Sequence, residues 1–293
     1  MDYVALVPGS PLSSRLGFGC GSVMGRIGRA ASLRAIAAGL DAGITHFDVA
    51  RLYGYGEAEA VLGEALQGRR DRVVIASKFG LDPPRAAGVL RRLKPLAQQL
   101  AAHLPGARRA LRALAGGPRE AAGRFSAKSA AASLAKSLAA LRTDYLDILF
   151  LHDCGPDDLG DELLAFLDGE VAAGRIRAYG VATDIDTVCA LQRVHGDRLI
   201  YQFANSRFAP NASRLARSGC RVVAHSPFLG VERLAEPAGE AHRSMLADAL
   251  GAKEVGVVLC SMLDPHHLAA NLDAAEHLRF VTAEITATPL LAG

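Results

Sequence analysis

Short apolar runs alternate with longer amphipathic segments along nearly the whole chain. Each run is bounded by glycine, proline or charged residues, which is the pattern of strands separated by helices. The runs predict eight strands: Leu16–Cys20, Ile44–Asp48, Val73–Ser77, Tyr145–Leu151, Ile176–Val181, Leu199–Phe203, Arg221–Ala224 and Gly256–Cys260. The other segments predict eight helices: Ala31–Asp41, Glu57–Gln67, Ala127–Leu141, Asp158–Ala173, Asp186–Val194, Ala212–Ser218, Glu240–Leu250 and Pro265–Glu276.

This succession of strand–helix units predicts a (β/α)8 TIM barrel as a single domain over residues 1–293. The run Leu146–Leu151 is almost continuously apolar, as expected of a parallel strand that is covered on both faces. Ahead of the first strand, Val4–Val7 and Leu12 flank a Pro-Gly-Ser turn, which predicts an N-terminal β-hairpin at the barrel floor. An open doubly wound sheet is the competing architecture, but eight uninterrupted units favour the barrel.

One long segment, Leu81–Phe125, interrupts this rhythm after the third strand. It carries nine basic and two acidic residues, so its net charge is +7 and that of the remaining chain is −4. A loop that follows a barrel strand lies on the catalytic face. The insertion is therefore expected to form a basic lid over the site or one wall of a substrate cleft. The alternative is a solvated insertion without a role in the site.

Composition narrows the class of protein. A net charge of +3, without aromatic residues among the basic ones, does not indicate a nucleic-acid partner. The five cysteines form no C-x-x-C pair, so neither a disulfide framework nor a zinc site is indicated. The first residues lack the pattern of a secretory signal, and no stretch approaches the roughly 18 apolar residues of a membrane span. We expect a cytoplasmic protein with no nucleic-acid or membrane partner.

Polar residues fall at the C-terminal ends of the predicted strands, where barrel enzymes build their active sites. Asp48 ends the second strand, Lys78 follows the third and His152 follows the fourth. Further polar residues lie at or just after the later strands: Thr183, Gln202, His225, Ser226 and Ser261. Because buried charges are costly unless they are paired, their gathering at one rim indicates a functional site.

A glycine-rich loop after Asp48 brings Tyr53 back over this rim. A phenol has an ordinary pKa of about 10, and a neighbouring ammonium lowers that pKa. We expect Lys78 to supply the ammonium and Asp48 to hold Lys78 in place. Asp48, Tyr53, Lys78 and His152 are therefore the candidate catalytic group.

Three segments around these residues, Phe47–Gly54, Ala76–Gly80 and Asp144–His152, resemble the signature blocks of the aldo-keto reductases in order and spacing. The similarity covers most of the chain outside the basic insertion. That family carries an aspartate, a tyrosine, a lysine and a histidine as a catalytic tetrad on a (β/α)8 barrel.

Those four residues correspond to Asp48, Tyr53, Lys78 and His152. The resemblance implies that hydride passes between a nicotinamide cofactor and a small-molecule carbonyl or alcohol substrate. It also implies that Tyr53 exchanges the proton and that His152 orients the carbonyl oxygen.

The resemblance further implies NADP(H) as the cofactor, with NAD(H) as the alternative. The cofactor-binding positions implied are Gly21, Thr183, Gln202, His225, Ser226, Phe228, Ser261, His267 and Asn271. Several of them depart from the family pattern. Ala182-Thr183 replaces a Ser-Asn pair, and His225 replaces a tyrosine that stacks on the nicotinamide ring. The basic residue that pairs with the 2′-phosphate is replaced by Ser261 or His267, depending on the alignment, and Asp264 adds an unfavourable charge.

Two other functions are alternatives. A metal-dependent barrel hydrolase would use His46, Asp48, His152 and Asp153 as ligands, although this leaves Tyr53 without a role. A catalytically weak or inactive barrel would bind the nucleotide as a sensor or partner module, which the altered cofactor positions would suit.

Overall fold

In a computed structural model, eight parallel strands form a closed barrel, as predicted. The structure describes residues 1–25, 27–83, 119–120, 123–215, 221–234 and 238–287. The barrel strands are β3 (Leu16–Gly19), β4 (His46–Asp48), β5 (Val74–Phe79), β8 (Leu146–His152), β9 (Ile176–Ala182), β10 (Ile200–Ala204), β11 (Val222–His225) and β12 (Val257–Cys260). β12 pairs with β3, which closes the barrel.

Helices cover the outside of the barrel. They are α1 (Arg29–Asp41), α2 (Ala58–Ala65), α3 (Ala127–Leu141), α4 (Asp161–Ala172), α5 (Ile185–His195), α6 (Ala238–Gly251) and α7 (Pro265–Ala287). The helix predicted at Ala212–Ser218 is wrong over its first residues, because Asn211–Arg214 forms a short 3-10 turn and residues 216–220 lie outside the described part. The third barrel strand ends later than predicted, so Lys78 lies within β5.

Alternating residues of the strands form two apolar cores. One set points into the barrel and includes Ala76, Ile148 and Phe150, whereas the other packs between the strands and the helices. Close backbone contact is required at Gly180, where an added Cβ would lie 1.9 Å from the carbonyl oxygen of Ile200. The interior core packs directly below the polar residues at the C-terminal ends of the same strands and holds those strands in place.

The N-terminal hairpin closes the floor of the barrel, as predicted. β1 (Tyr3–Val4) pairs antiparallel with β2 (Ser13–Ser14), and Leu6 and Val7 join the interior core. Ser10 donates a 2.7 Å hydrogen bond to the fully buried Asp147. Leu6 and Val7 thus fill the floor of the barrel, opposite the C-terminal ends of the strands.

Both ends of the basic insertion lie beside the open end of the barrel. β6 (Leu81–Asp82) pairs antiparallel with β7 (Arg119–Glu120). Residues 84–118, on which the lid and solvated-insertion hypotheses depend, lie outside the described part. Among the helices in the described ranges, none is long and apolar enough to cross a membrane.

Candidate active site

A cavity of about 700 Å³ opens at the C-terminal ends of the barrel strands. All four candidate catalytic residues line it: Asp48, Tyr53, Lys78 and His152. Cavities that bind small ligands commonly have a volume of about 300–1,000 Å³. The cavity therefore lies at the strand ends, where the sequence places the candidate residues, and its volume suits a small ligand.

Asp48 and Lys78 form a buried ion pair at the base of the cavity. Each residue is 3% exposed, and Lys78 Nζ donates to Asp48 Oδ1. Lys78 Nζ also donates a 3.2 Å hydrogen bond to the carbonyl oxygen of Val49. Burial is the largest single effect and lowers the pKa of Lys78, but Asp48 and Tyr53 together raise it more, so the net shift is upward. Lys78 therefore remains a cation in the folded protein.

Tyr53 reaches Lys78 because the loop after β4 makes an unusual turn. Gly54 and Tyr55 have φ values of 59° and 58°, in the left-handed region. At Gly54 a Cβ would lie 2.6 Å from the carbonyl oxygen of Val23, so only glycine fits there. Lys78 Nζ lies 5.2 Å from the centroid of the Tyr53 ring.

Burial and Lys78 act in opposite directions on the acidity of Tyr53. Burial raises the pKa of the phenol, whereas the charge of Lys78 and its hydrogen bond to Tyr53 lower it. The net shift is upward. The downward shift expected from the sequence is therefore wrong, because burial of the phenol outweighs the effect of the ammonium.

His152 stands beside Tyr53 at the end of β8. The two rings lie edge to face, with their centroids 6.2 Å apart. Burial, reinforced by the charge of Lys78, lowers the pKa of His152 to about 3. The ring is therefore neutral at physiological pH, and its Nδ1 is buried without a hydrogen-bond partner among the described residues.

Six of the nine predicted cofactor-binding residues line the same cavity: Gly21, Thr183, Gln202, His225, Ser226 and Ser261. Phe228, His267 and Asn271 do not line it. Phe228 packs against the ring of His242, with centroids 4.8 Å apart. The six residues expected near the nicotinamide thus lie together on the cavity wall, whereas Phe228, His267 and Asn271 lie elsewhere.

The amide and hydroxyl groups of two predicted cofactor ligands already have protein partners. Thr183 Oγ1 donates a 2.8 Å hydrogen bond to the carbonyl oxygen of Cys154. Gln202 Nε2 donates a 2.8 Å hydrogen bond to Asp48 Oδ2. Because a carboxylate only accepts hydrogen bonds, this contact determines the orientation of the amide and leaves Gln202 Oε1 to accept from a carboxamide N–H. The hydroxyl of Thr183 donates its proton to Cys154 but keeps its acceptor lone pairs, so both residues can accept from a carboxamide N–H.

Two acidic residues of the cavity wall were not predicted as cofactor or catalytic residues. Asp184 caps α5 by accepting hydrogen bonds from the backbone N–H groups of Asp186 and Thr187. Partial burial raises its pKa, but these bonds together with hydrogen bonds from the side chains of Thr187 and Thr183 lower it more, so Asp184 remains ionised. An aspartate before a predicted helix is a recognisable cap signal, but placing this carboxylate in the cavity requires the fold.

Asp153 follows His152 directly and adopts a left-handed backbone conformation, with φ of 58°. Its N–H donates a 2.8 Å hydrogen bond to the carbonyl oxygen of Ala182, and its own carbonyl oxygen accepts from Arg124. The carboxylate lines the cavity, and no Arg or Lys within the described ranges forms an ion pair with it. It therefore adds a negative charge to the cavity wall, and Arg124 contacts the backbone of this residue rather than its carboxylate.

The residues considered for a metal site do not assemble into one. In the described part of the chain, no three His, Cys, Asp or Glu side chains are arranged to hold a metal ion. His46 lies deeper in the barrel, where its Nδ1 lies 3.2 Å from Ser13 Oγ. Asp48 is instead occupied by Lys78 and Gln202.

Comparison with known proteins identifies the family. The aldo/keto reductase family model matches residues 15–231. The chain belongs to the aldo/keto reductase family. The family predicted from the three signature blocks is confirmed, and the match includes the four candidate catalytic residues.

Two bacterial proteins are similar to this chain in sequence. The chain is 29% identical to the aldo-keto reductase YhdN of Bacillus subtilis over 207 residues, which cover 67% of this chain and 52% of that protein. It is 30% identical to a 6-dehydroglucose reductase of Novosphingobium aromaticivorans over 246 residues, which cover 75% of this chain and 65% of that protein. The chain thus spans about half to two thirds of the length of these relatives.

Solved aldo-keto reductase structures have the same fold. The holo form of an enzyme from Bacillus halodurans matches with a TM-score of 0.68 and 23% identity, over 99% of this chain and 92% of that chain. An aldo-keto reductase from Klebsiella pneumoniae in complex with NADPH matches with a TM-score of 0.59 and 23% identity, over 90% and 86% of the two chains. At this identity the similarity concerns the fold.

Proposed function

We propose that this protein is an NAD(P)H-dependent oxidoreductase that interconverts a small carbonyl compound and the corresponding alcohol. One observation carries the proposal: the buried Asp48–Lys78 pair lies under Tyr53, and His152 stands beside the same phenol. These groups surround one position in the cavity where a reacting oxygen could contact a proton donor and an uncharged imidazole.

Tyr53 is the proposed general acid in carbonyl reduction. Because burial raises the pKa of Tyr53, the phenol is protonated at neutral pH and able to donate. The charge of Lys78 stabilises the phenolate that remains after the proton has moved to the substrate oxygen. In alcohol oxidation the same phenolate accepts the proton, and Asp48 keeps Lys78 in position in both directions.

His152 is the proposed orienting group for the carbonyl oxygen. A neutral imidazole carries one N–H, and we assign it to Nε2 because Nδ1 is buried without a partner. With its pKa lowered to about 3, His152 does not compete with Tyr53 as the proton donor at neutral pH.

The cofactor supplies the hydride, and NADP(H) is the cofactor expected for the family, with NAD(H) as the alternative. Gln202, His225 and Ser226 line the cavity next to the catalytic group and are the residues proposed to hold the nicotinamide end. The solved aldo-keto reductase from Klebsiella pneumoniae is a complex with NADPH, which supports the choice of cofactor. We propose no residue for the 2′-phosphate, because His267 and Asn271 do not line the cavity.

The proposed substrate is a small polar aldehyde or ketone. Relatives are named 6-dehydroglucose reductase in Novosphingobium aromaticivorans and methylglyoxal reductase YeaE in Escherichia coli. A third is named pyridoxal 4-dehydrogenase in Microbacterium luteolum. All three named substrates are small polar carbonyl compounds, so keto sugars, methylglyoxal and pyridoxal are the first compounds to assay.

A matched pair of tyrosine variants tests the proposal. Tyr53→Phe should lower kcat for carbonyl reduction by about 10²-fold or more while NADPH binding, followed by fluorescence, is retained. Tyr55→Phe, in the same loop, is the control and should keep wild-type turnover. Full turnover by Tyr53→Phe would exclude the proposed acid. A wild-type protein that binds NADPH but reduces no carbonyl would instead indicate the nucleotide-binding module.

A further inference from the structure

Glu59 is a buried carboxylate outside the cavity that the proposed chemistry does not use. It lies in the first turn of α2, directly after the loop that carries Tyr53, and is only 2% exposed. Burial of a carboxylate is costly unless the charge is paired and hydrogen-bonded. Its contacts therefore indicate what this residue does.

One oxygen of Glu59 is bonded to the strand that carries Lys78. Ser77 Oγ donates a 2.7 Å hydrogen bond to Glu59 Oε1, and Ser77 is fully buried. Successive residues of a strand point to opposite faces, so Ser77 faces the helices while Lys78 faces the barrel interior. Glu59 thus holds β5 from outside the barrel wall, one residue from the proposed catalytic lysine.

The other oxygen of Glu59 is paired with the loop that carries Tyr53. Arg51 Nη1 lies 3.4 Å from Glu59 Oε2, and Arg51 precedes Tyr53 by two residues. Arg51 Nε lies 3.8 Å from Asp82 Oδ1, in the segment that follows β5. The carboxylate and the guanidinium therefore join the tyrosine loop to β5 through Ser77 and to β6 through Asp82.

The loop needs such support because its backbone is strained. Tyr55 has a positive φ, which costs a non-glycine residue of order 1–3 kcal/mol and persists only where surrounding contacts enforce it. The reaction also depends on position, since misplacement of a reacting group by about 1 Å can cost 10²-fold in rate.

We propose that Glu59 is a positioning residue that sets the distance between Tyr53 and Lys78 through Arg51 and Ser77. Glu59 does not line the cavity, and burial, Lys78 and Asp48 are the largest influences on the pKa of Tyr53. It therefore acts by geometry, and its loss should impair proton transfer while leaving cofactor affinity unchanged. This inference rests on the proposed role of Tyr53.

Two variants break the link at different points, and each has a matched control. Ser77→Ala removes the bond to β5, and Ser137→Ala is its control because Ser137 Oγ is also buried but has no partner among the described residues. Glu59→Gln removes the charge that pairs with Arg51, and Glu64→Gln, whose partly exposed carboxylate in α2 pairs with Arg29, is its control. Both test variants retain side chains of similar size, so the fold should be maintained.

The expected kinetic result is a separation of kcat from binding. Ser77→Ala and Glu59→Gln should lower kcat for carbonyl reduction by about 10-fold or more, with the NADPH Kd within about twofold of wild type. The solvent deuterium isotope effect on kcat should increase, because proton donation by Tyr53 becomes more limiting. The control variants should change none of these quantities.

A second measurement does not depend on turnover. In protein labelled with ¹³C at tyrosine Cζ, the Tyr53 resonance is assigned by its absence from Tyr53→Phe. It should shift in Glu59→Gln and Ser77→Ala but not in the controls, since the contact with Lys78 changes. An unchanged resonance together with an unchanged isotope effect would overturn the inference. A wild-type protein without turnover whose Tyr53 resonance still moves would refute the proposed function and retain the positioning role.

Discussion

Gln202 donates a hydrogen bond to Asp48 across the full width of the barrel. β10 and β4, which carry the two residues, are separated by three strands on either side of the closed sheet. The bond is 2.8 Å long, and it fills the carboxylate oxygen that Lys78 leaves free. Asp48 is thus held from two sides, which restricts the position of Lys78.

This relationship predicts the behaviour of two Gln202 variants. Gln202→Met removes the donor and should lower kcat by about 10-fold, because Asp48 loses one of its two side-chain partners. Gln202→Glu should lower kcat further at pH 8, because two carboxylates would then face each other. Its kcat should recover towards pH 5, where a protonated Glu can again donate to Asp48. The measurement is the ratio of variant to wild-type kcat between pH 5 and 8. A ratio that does not change with pH would contradict the expectation.

The charge of the cavity predicts a substrate preference. Asp48 and Lys78 cancel, and burial lowers the pKa of both His152 and His225, so Asp153 and Asp184 are the net charges on the described cavity wall. Carbonyl compounds that carry a carboxylate should therefore react more slowly than neutral ones. Asp153→Asn should raise kcat/KM for 4-carboxybenzaldehyde by roughly 3- to 10-fold. The same variant should change kcat/KM for the neutral benzaldehyde by less than about twofold. Equal effects on both aldehydes would show that the charge of Asp153 is not what discriminates.

His46 predicts a loss of stability in acid. Burial lowers the pKa of His46 to about 4, whereas the unfolded chain has the ordinary value of about 6.5. The unfolded state therefore binds the proton first, so the stability contributed by neutral His46 is complete above pH 6.5 and is lost as the pH falls towards 4. At pH 5 the loss is about 2 kcal/mol.

His46→Asn should reduce this pH dependence. The measurement is the free energy of unfolding in urea at pH 7 and pH 5, compared between the variant and the wild type. The wild type should lose about 2 kcal/mol more than the variant between these pH values. His152 and His225 contribute equally to both proteins, so they cancel in the comparison. An identical pH dependence would mean that the unfolded and folded states protonate His46 alike.

Close packing around Gly180 predicts that a substitution at this position strongly destabilises the fold. Gly180→Ala would place a methyl group 1.9 Å from the carbonyl oxygen of Ile200, so β9 and β10 would have to separate. A destabilisation of at least about 4 kcal/mol is expected, which thermal unfolding would detect. Gly169→Ala, within α4 and with nothing within 4 Å, is the matched control and should stabilise by about 0.5–1 kcal/mol. A stable Gly180→Ala protein would mean that the strand contact is not as close as described.

Much of the site was predictable because its residues occupy local, repeating positions. In a (β/α)8 barrel the end of each strand reaches the same mouth, so Asp48, Lys78 and His152 could be placed together from the strand pattern alone. The glycines after Asp48 indicated a turn that brings Tyr53 over them. These inferences need only the order of elements and the period of each strand.

The sequence alone therefore determined the barrel, the family and the residues that gather at its open end. Only the tertiary structure decided how those residues interact, because burial and contact across the barrel depend on side chains far apart in the chain. The net pKa shift of Tyr53, the bond from Gln202 to Asp48 and the buried link through Glu59 are three such features. No local pattern encodes them, since desolvation is a property of the packed interior.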